Sequence, residues 1–299
     1  MKKALLVGIN DYGVAPLRGC VNDIIEMKAV LTELFGFDSS NVRILSNEKA
    51  TFTGIVDGLA WLSEGREESA VRVFYYAGHG HGVPDQSGDE PDGTDEALVP
   101  YDYTLKGFLI DDQLATIYSR FSTHVNLSLI LDSCHNGTNQ RDPNEDIMYR
   151  YLPMTYEERK AVAAARRKFM QEQREFVMQE IEGLKSSKRD LDVDWEARIL
   201  ESMKKFEKQR FGDITVRENN ILMAACQSDQ KAADAKFGAT YHGAFTYALV
   251  KTLRESQGQI SYCDLVERVG NQLHDHSFQQ TPQLECATEK ENLNVFSPF

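Results

Sequence analysis

Short apolar runs alternate with amphipathic segments along most of the chain, which predicts a mostly parallel α/β sheet flanked by helices. Several runs are apolar on both faces, as in strands buried in the middle of such a sheet. We predict strands at residues 3–10 and 41–45, from residue 71, from residue 127, at 220–226 and within 280–296. We predict helices at residues 22–34, 51–61, 111–121, 243–253 and 261–273, and a long loop at 82–103.

Two of the predicted strands end in a reactive side chain. The strand from residue 71 leads into His79, and the strand from residue 127 leads into Cys134 in a polar turn. Because the carboxyl ends of neighbouring parallel strands meet at one edge of a sheet, imidazole and thiol are expected to lie side by side. Such a pair suits a cysteine nucleophile with a histidine base. The backbone N–H groups of Gly80 and Cys134 are candidates for an oxyanion hole.

A stretch of different composition interrupts this pattern between residues 142 and 215. It is dense in Glu, Lys, Arg, Gln and Ala, which predicts long solvated helices stabilised partly by i,i+4 charge pairs. An exposed helical insertion, a partner-binding arm and a proteolytically cut segment are the interpretations open at this point.

The composition narrows the classes of partner. A net charge of −13 argues against nucleic acid, because phosphate binding requires a basic surface. The five cysteines are widely spaced without a CxxC pair, which fits free thiols in a reducing compartment. The N-terminal apolar run is too short for a signal peptide, and no run approaches membrane-spanning length. We therefore expect a cytoplasmic protein that binds neither nucleic acid nor membranes.

The two strand endings resemble the catalytic motifs of caspase-like cysteine peptidases (clan CD, C14 type), and most closely those of metacaspases and bacterial orthocaspases. The histidine lies about 50 residues before the cysteine, as in that family. The matching segments are Tyr75-Tyr76-Ala77-Gly78-His79-Gly80 and Asp132-Ser133-Cys134-His135-Asn136-Gly137. The resemblance implies a single caspase-like domain with a six-stranded, mostly parallel sheet and a charged helical insertion. Its parts are residues 1–141, similar to a large subunit, 142–215, the insertion or linker, and 216–299, similar to a small subunit.

The resemblance also implies a cysteine endopeptidase that cuts after arginine or lysine, since metacaspases bind these residues in an acidic pocket. By position, Asp23 and Asp132 match the pocket acids, and Cys20 matches a residue of the pocket wall. Carboxylates in a narrow pocket pair well with guanidinium. Taken alone, Asp23 is also a candidate helix N-cap and Asp132 a candidate turn residue. Ala77 departs from the serine that some metacaspases carry near this pocket.

Metal ions enter the interpretation in two ways. Some metacaspases need calcium, and bacterial relatives often do not, so we expect no required cofactor. The candidate calcium ligands are Asp95, Asp111, Asp112 and Asp142. A helix cap and a solvated acidic loop are the alternative roles for these acids.

A rival interpretation of the reactive residues is a zinc site with the ligands His79, His81, Cys134 and His135. A non-catalytic interaction module built on the charged helices is a third.

The expected partners are protein substrates with basic cleavage sites, and the chain itself is one of them. Caspase-like zymogens carry a linker where this insertion lies, and the insertion is rich in Arg and Lys. We therefore predict activating cleavage within residues 142–212, by the chain itself or by an upstream protease. The candidate cut sites are Arg150, Arg166, Arg167, Lys188 and Arg189. Fold-level analogy with bacterial relatives suggests a stress, cell-death or defence pathway.

Overall fold

The computed structural model describes residues 1–13, 15–65, 70–84, 94–122, 124–135, 146–186, 199, 202, 220–227 and 230–298. Its strands are β1 (Lys2–Gly8), β2 (Val42–Ser46), β3 (Val71–Ala77), β4 (Gly80–Pro84), β5 (Thr94–Leu98), β6 (Leu109–Ile110), β7 (Asn126–Asp132), β8 (Ile147–Tyr149), β9 (Asn220–Ala224), β10 (Ala233–Phe237), β11 (Thr240–Gly243) and β12 (Gln283–Glu285). Its helices are α1 (Cys20–Leu34), α2 (Phe52–Ser63), α3 (Tyr103–Lys106), α4 (Asp111–Tyr118), α5 (Tyr156–Ser186), α6 (Ala244–Glu255), α7 (Tyr262–Asp275) and α8 (Thr288–Glu291).

The centre of the molecule is a six-stranded sheet in the order β12-β9-β7-β3-β1-β2. Strand β12 pairs antiparallel with β9, and the other neighbouring strands in the described sheet are parallel. Every residue of β3 is buried, as the uninterrupted apolar run predicts for a strand covered on both faces. The predicted fold, a mostly parallel six-stranded sheet flanked by helices, is confirmed.

The sheet brings the two reactive strand endings together. Strands β3 and β7 are parallel neighbours, with Ala77 opposite Asp132 in the register. The residues that follow, His79 and Cys134, therefore leave the sheet at the same carboxyl edge, where ligands of parallel sheets bind.

Two small antiparallel sheets lie beside this edge, and they differ from the sequence expectation. The first joins β4, β5 and β6, so residues 82–103 contain strands where a long loop was predicted. The second joins β11, β10 and β8. Strand β8 lies in the segment predicted to begin the helical insertion, and it pairs antiparallel with β10 instead.

The long helix of the insertion is α5, which has 31 residues and a strongly charged sequence. Within the described residues, no helix combines the length and the apolar character needed to cross a membrane. The end of the predicted insertion, beyond α5, lies mostly outside the described residues.

Candidate active site

The imidazole of His79 is buried and oriented by a backbone carbonyl. Its Nε2 lies 2.6 Å from the carbonyl oxygen of Ala15, so Nε2–H donates this hydrogen bond and Nδ1 carries the lone pair. Nδ1 makes no hydrogen bond to any described residue, and the backbone of Arg150 lies near the ring. Burial lowers the pKa of His79 to about 4. The ring is therefore neutral near pH 7 and able to accept a proton at Nδ1.

The thiol of Cys134 is fully buried and lies beside a second thiol. Its Sγ is 2.8 Å from the carbonyl oxygen of Gln230. Cys226, at the end of the neighbouring strand β9, points at the same oxygen from 3.7 Å. The contact with Cys134, together with burial, raises the pKa of Cys226, which keeps the second sulfur protonated. Sequence reasoning missed Cys226, although it also follows an apolar strand at this edge.

The backbone of Arg150 lies across the site as an extended substrate would. Its carbonyl oxygen accepts hydrogen bonds from the N–H of Gly80 at 2.9 Å and of Cys134 at 3.2 Å. These are the two donors that the sequence predicts for an oxyanion hole. The N–H of Arg150 donates to the carbonyl of Ala232 at 2.9 Å, which continues the pairing of β8 with β10. Added strands of this kind are a common way to bind a peptide.

The side chain of Arg150 fills an acidic pocket and is 0% exposed. Its guanidinium nitrogens lie 2.5 Å from Asp23, 2.9 Å from Asp132 and 3.2 Å from Asp234. The structure thus brings the two predicted pocket acids together around one guanidinium. Cys20 is also at the pocket, with Sγ 3.9 Å from the Asp234 carboxylate.

The two predicted acids are held by groups from the C-terminal part of the chain. Asp23 lies in the first turn of α1, whose N-cap is Gly19, and it accepts the N–H of Gly243 at 3.0 Å, so it does not cap the helix. Asp132 accepts the Thr246 hydroxyl at 2.5 Å. A Cβ added to Gly243 would lie 2.6 Å from Cζ of Arg150. Glycine at this position therefore leaves the room that a guanidinium needs.

Asp234 is the pocket residue that sequence reasoning missed. It lies on β10, is 0% exposed, and accepts the N–H of Gly19 at 3.0 Å. The sequence feature that could have identified Asp234 is its position as the single charged residue in the run Ala232-Ala233-Asp234-Ala235. A charge in a buried run of small residues is costly unless it is paired, so it indicates a partner.

Burial and mutual charge set the protonation of the pocket. Burial raises the pKa of Asp132 to about 6, although the positive charge of Arg150 acts in the opposite direction. Burial also raises the pKa of Asp234. Burial disfavours the charge on Arg150, but the carboxylates, Asp132 foremost, outweigh it and raise the Arg150 pKa. The pocket is therefore expected to bind most strongly a cation that remains charged when buried, as guanidinium does.

Nearly all of the chain matches a known family. The model of the caspase domain, a peptidase domain, aligns with residues 1–293. The chain belongs to the caspase-domain family. It is accordingly a cysteine-type endopeptidase, and the predicted relationship to caspase-like peptidases of clan CD is confirmed.

Individual proteins resemble the chain at identities of 12–28%. Metacaspase-1 of Pyricularia oryzae is 28% identical over 314 aligned positions, which cover 99% of this chain and 74% of that protein. The crystal structure of protein GSU0716 from Geobacter sulfurreducens has a TM-score of 0.65 at 24% identity and covers 100% and 99% of the two chains. Caspase-1 from Spodoptera frugiperda has a TM-score of 0.50 at 12% identity, covering 95% and 86%. The two structures support the caspase-like fold.

The four residues of the alternative zinc site have separate partners. His79 bonds to Ala15, whereas Nε2 of His135 lies 3.2 Å from a carboxylate oxygen of Glu96. His81 is stacked against an aromatic ring. In the part of the chain that the structure describes, no three His, Cys, Asp or Glu side chains cluster as metal ligands would. The geometry thus favours the peptidase over the zinc interpretation.

The candidate calcium ligands occupy the small sheet and the start of α4. Asp95 is buried on β5, 4.0 Å from the guanidinium of Arg166. Asp111 accepts a backbone N–H of β5 at 3.3 Å. The side chain of Asp112 and all of Asp142 lie outside the described residues. The positive charge of Arg166 would repel a calcium ion beside Asp95. The described residues therefore add no support for a calcium site, and calcium binding remains a prediction from the resemblance.

The candidate cut sites fall into three groups. Arg150 is extended and docked in the acidic pocket. Arg166 and Arg167 lie inside α5, where the helix would have to unwind before a protease could bind them as a strand. Lys188 and Arg189 lie outside the described residues.

Proposed function

We propose that this chain is an endopeptidase that cuts proteins after arginine, and after lysine more slowly, with Cys134 as nucleophile and His79 as base. The observation that carries this proposal is the double anchoring of Arg150. Its carbonyl oxygen lies between two backbone donors, while its guanidinium lies among three carboxylates. A substrate arginine bound in the same way would present the bond after it to the thiol.

We propose the following reaction for an arginine bound in this way. Nδ1 of His79 takes the proton of the Cys134 thiol, and the thiolate then attacks the carbonyl carbon of the bound arginine. The N–H groups of Gly80 and Cys134 stabilise the resulting oxyanion. The protonated His79 gives its proton to the leaving amine as the peptide bond breaks, and a thioester to Cys134 remains. Water, deprotonated by His79, then hydrolyses the thioester and releases the new carboxylate.

We further propose that the first substrate is the chain's own bond between Arg150 and Tyr151. Arg150 is fully buried in the uncut chain, so a second protease has no access to it. Cleavage by the attached active site requires no such access, because the segment is already bound. Release of the new Arg150 terminus, and of the segment that begins at Tyr151, then vacates the site for other proteins. This assigns the first predicted cleavage to one bond and favours self-cleavage over an upstream protease at that bond.

The specificity can be tested with quenched fluorescent peptides based on Ile-Met-Tyr-Arg-Tyr-Leu, the sequence of residues 147–152. We expect kcat/KM for arginine to exceed that for glutamine or aspartate at the same position by at least about 10²-fold, since a buried charge pair is lost. Lysine is expected to be intermediate, because its single ammonium nitrogen cannot contact the three carboxylates as the separate guanidinium nitrogens do. Parallel assays with EDTA and with added calcium test the cofactor prediction. A preference for aspartate, or no preference, would refute the proposed specificity.

The pH dependence should separate binding from chemistry. Burial raises the pKa of Asp132 to about 6, even with a guanidinium in the pocket. Below this pKa the carboxyl is neutral and attracts arginine less. We therefore expect kcat/KM to fall as the pH drops through about 6, whereas kcat persists toward the His79 pKa of about 4. Initial rates between pH 4.5 and 8 measure both, and a kcat/KM that stays flat down to pH 5 would contradict this assignment.

A further inference from the structure

The two residues that follow Arg150 are also bound to the backbone beside the active site. Tyr151 forms an isolated parallel bridge with Gly80. The N–H of Gly80 donates to the Arg150 carbonyl, and the carbonyl of Gly80 accepts the N–H of Leu152 at 3.1 Å. The two residues on the leaving side of the bond are thus held by the backbone next to the oxyanion hole.

The side chain of Tyr151 packs on an aromatic surface. Its ring stacks on the imidazole of His81, with centroids 5.1 Å apart and an angle of 21° between the planes. His81 is backed by Phe108, at 5.2 Å between centroids, and Phe108 in turn stacks on Tyr103 at 6.2 Å. Stacked rings of this kind contribute more than their buried area alone.

The imidazole of His81 also lies near the next residue of the bound segment. Burial lowers the His81 pKa more than the nearby Leu152 backbone raises it, so the ring is a neutral stacking partner at pH 7. The Leu152 side chain is 0% exposed and belongs to the hydrophobic core cluster. Both leaving-side residues are therefore held, Tyr151 against an aromatic surface and Leu152 within the hydrophobic core.

We infer that His81, Phe108 and the backbone of Gly80 form a binding site for the leaving side of the substrate. It accepts an aromatic residue directly after the cleaved bond and a large aliphatic residue at the next position. The substrate class is thereby narrowed from proteins with an accessible arginine to those with arginine followed by an aromatic and then an aliphatic residue. This inference rests on the proposed function, because it takes Arg150–Tyr151 as a model of the substrate bond.

The test compares hexapeptides that differ only after the arginine. With the wild-type enzyme, Ile-Met-Tyr-Arg-Tyr-Leu is expected to give a kcat/KM about 10-fold above Ile-Met-Tyr-Arg-Gly-Leu, from ring stacking and burial. Replacing the final leucine by glycine is expected to cost a similar factor. Cleavage must be followed by mass spectrometry on unlabelled peptides, so that no dye occupies the leaving-side site.

Variants then assign the preference to the aromatic surface. His81→Ala is expected to reduce the tyrosine-to-glycine ratio to about 1–2 while the arginine-to-glutamine ratio before the bond is kept. His81→Phe, which keeps a ring, should retain most of the preference, and His124→Ala, at an exposed histidine, should leave it unchanged.

Equal cleavage of the tyrosine and glycine peptides by the wild type would overturn the inference and leave the arginine specificity intact. An unchanged ratio in His81→Ala would also overturn it. Failure to cleave any arginine peptide would refute the proposed function together with the inference.

Discussion

Cys134→Ala and His79→Ala are each expected to lower kcat/KM for the arginine peptide by about 10⁴-fold or more, since removal of a nucleophile or its base from a peptidase costs at least this much. The two side chains carry out the chemical step and are separate from the groups that bind the substrate. The oxyanion donors and the acidic pocket do not depend on either side chain, so substrate still binds. Without the thiol or its proton acceptor, no acyl-enzyme forms.

Two cysteine controls make this prediction specific. Cys263→Ala removes an exposed thiol on α7 and should leave the rate unchanged. Cys226→Ala removes the thiol that shares the Gln230 carbonyl with Cys134, and this variant should retain activity within about 10-fold, because Cys226 stays protonated. If Cys226→Ala abolished cleavage and Cys134→Ala did not, the assignment of the nucleophile would be wrong.

Asp23→Asn and Asp132→Asn are expected to lower kcat/KM for arginine substrates by about 10²- to 10³-fold, because breaking a fully buried ion pair costs about 3–5 kcal/mol. Asp234→Asn should have a smaller effect, since its carboxylate lies farther from the guanidinium, at 3.2 Å, and its pKa is raised by burial. In each variant the loss should fall on arginine peptides and leave the slow cleavage of glutamine peptides nearly unchanged.

The ratio of the two peptides distinguishes specificity from damage to the fold. Asp57→Asn, at an exposed position of α2, is the matched control and should change neither rate. Thermal unfolding of each variant checks that the domain is intact. An equal fall in the rates for arginine and glutamine peptides would mean that these acids support the structure rather than the choice of substrate.

The central sheet and its reactive edge could be predicted because their signals are local. Strands buried on both faces read as unbroken apolar runs, and a run that stops abruptly places the following side chain at the sheet edge. His79 and Cys134 follow from that pattern alone. Asp23 and Asp132 needed the resemblance to a family, since each also fits an ordinary cap or turn.

The rest depends on contacts between distant segments. Strand β8 has three residues next to a strongly charged sequence, and its extended form comes from pairing with β10, which no local pattern records. The glycine- and aspartate-rich segment that contains β4 and β5 resembles a loop because turn residues dominate it, yet these two strands pair antiparallel. Asp234 reaches the guanidinium of Arg150 from 84 positions away.

Arg150 shows most clearly what the sequence alone cannot predict. Its type and position in a linker identify it as a candidate cut site, together with four other basic residues. Only the three-dimensional structure places its carbonyl between the N–H groups of Gly80 and Cys134 and its guanidinium in the acidic pocket. That placement turns a general expectation of processing into a prediction about one bond.

The most direct measurement is the mass spectrum of the purified chain after incubation at neutral pH, with wild type, Cys134→Ala, Arg150→Gln and Arg166→Gln compared. We predict that wild type and Arg166→Gln yield one fragment ending at Arg150 and one beginning at Tyr151, at a rate independent of protein concentration. Cys134→Ala and Arg150→Gln should remain uncut at this bond. A wild-type chain that stays joined between Arg150 and Tyr151, or equal cleavage there in Cys134→Ala, would contradict the account.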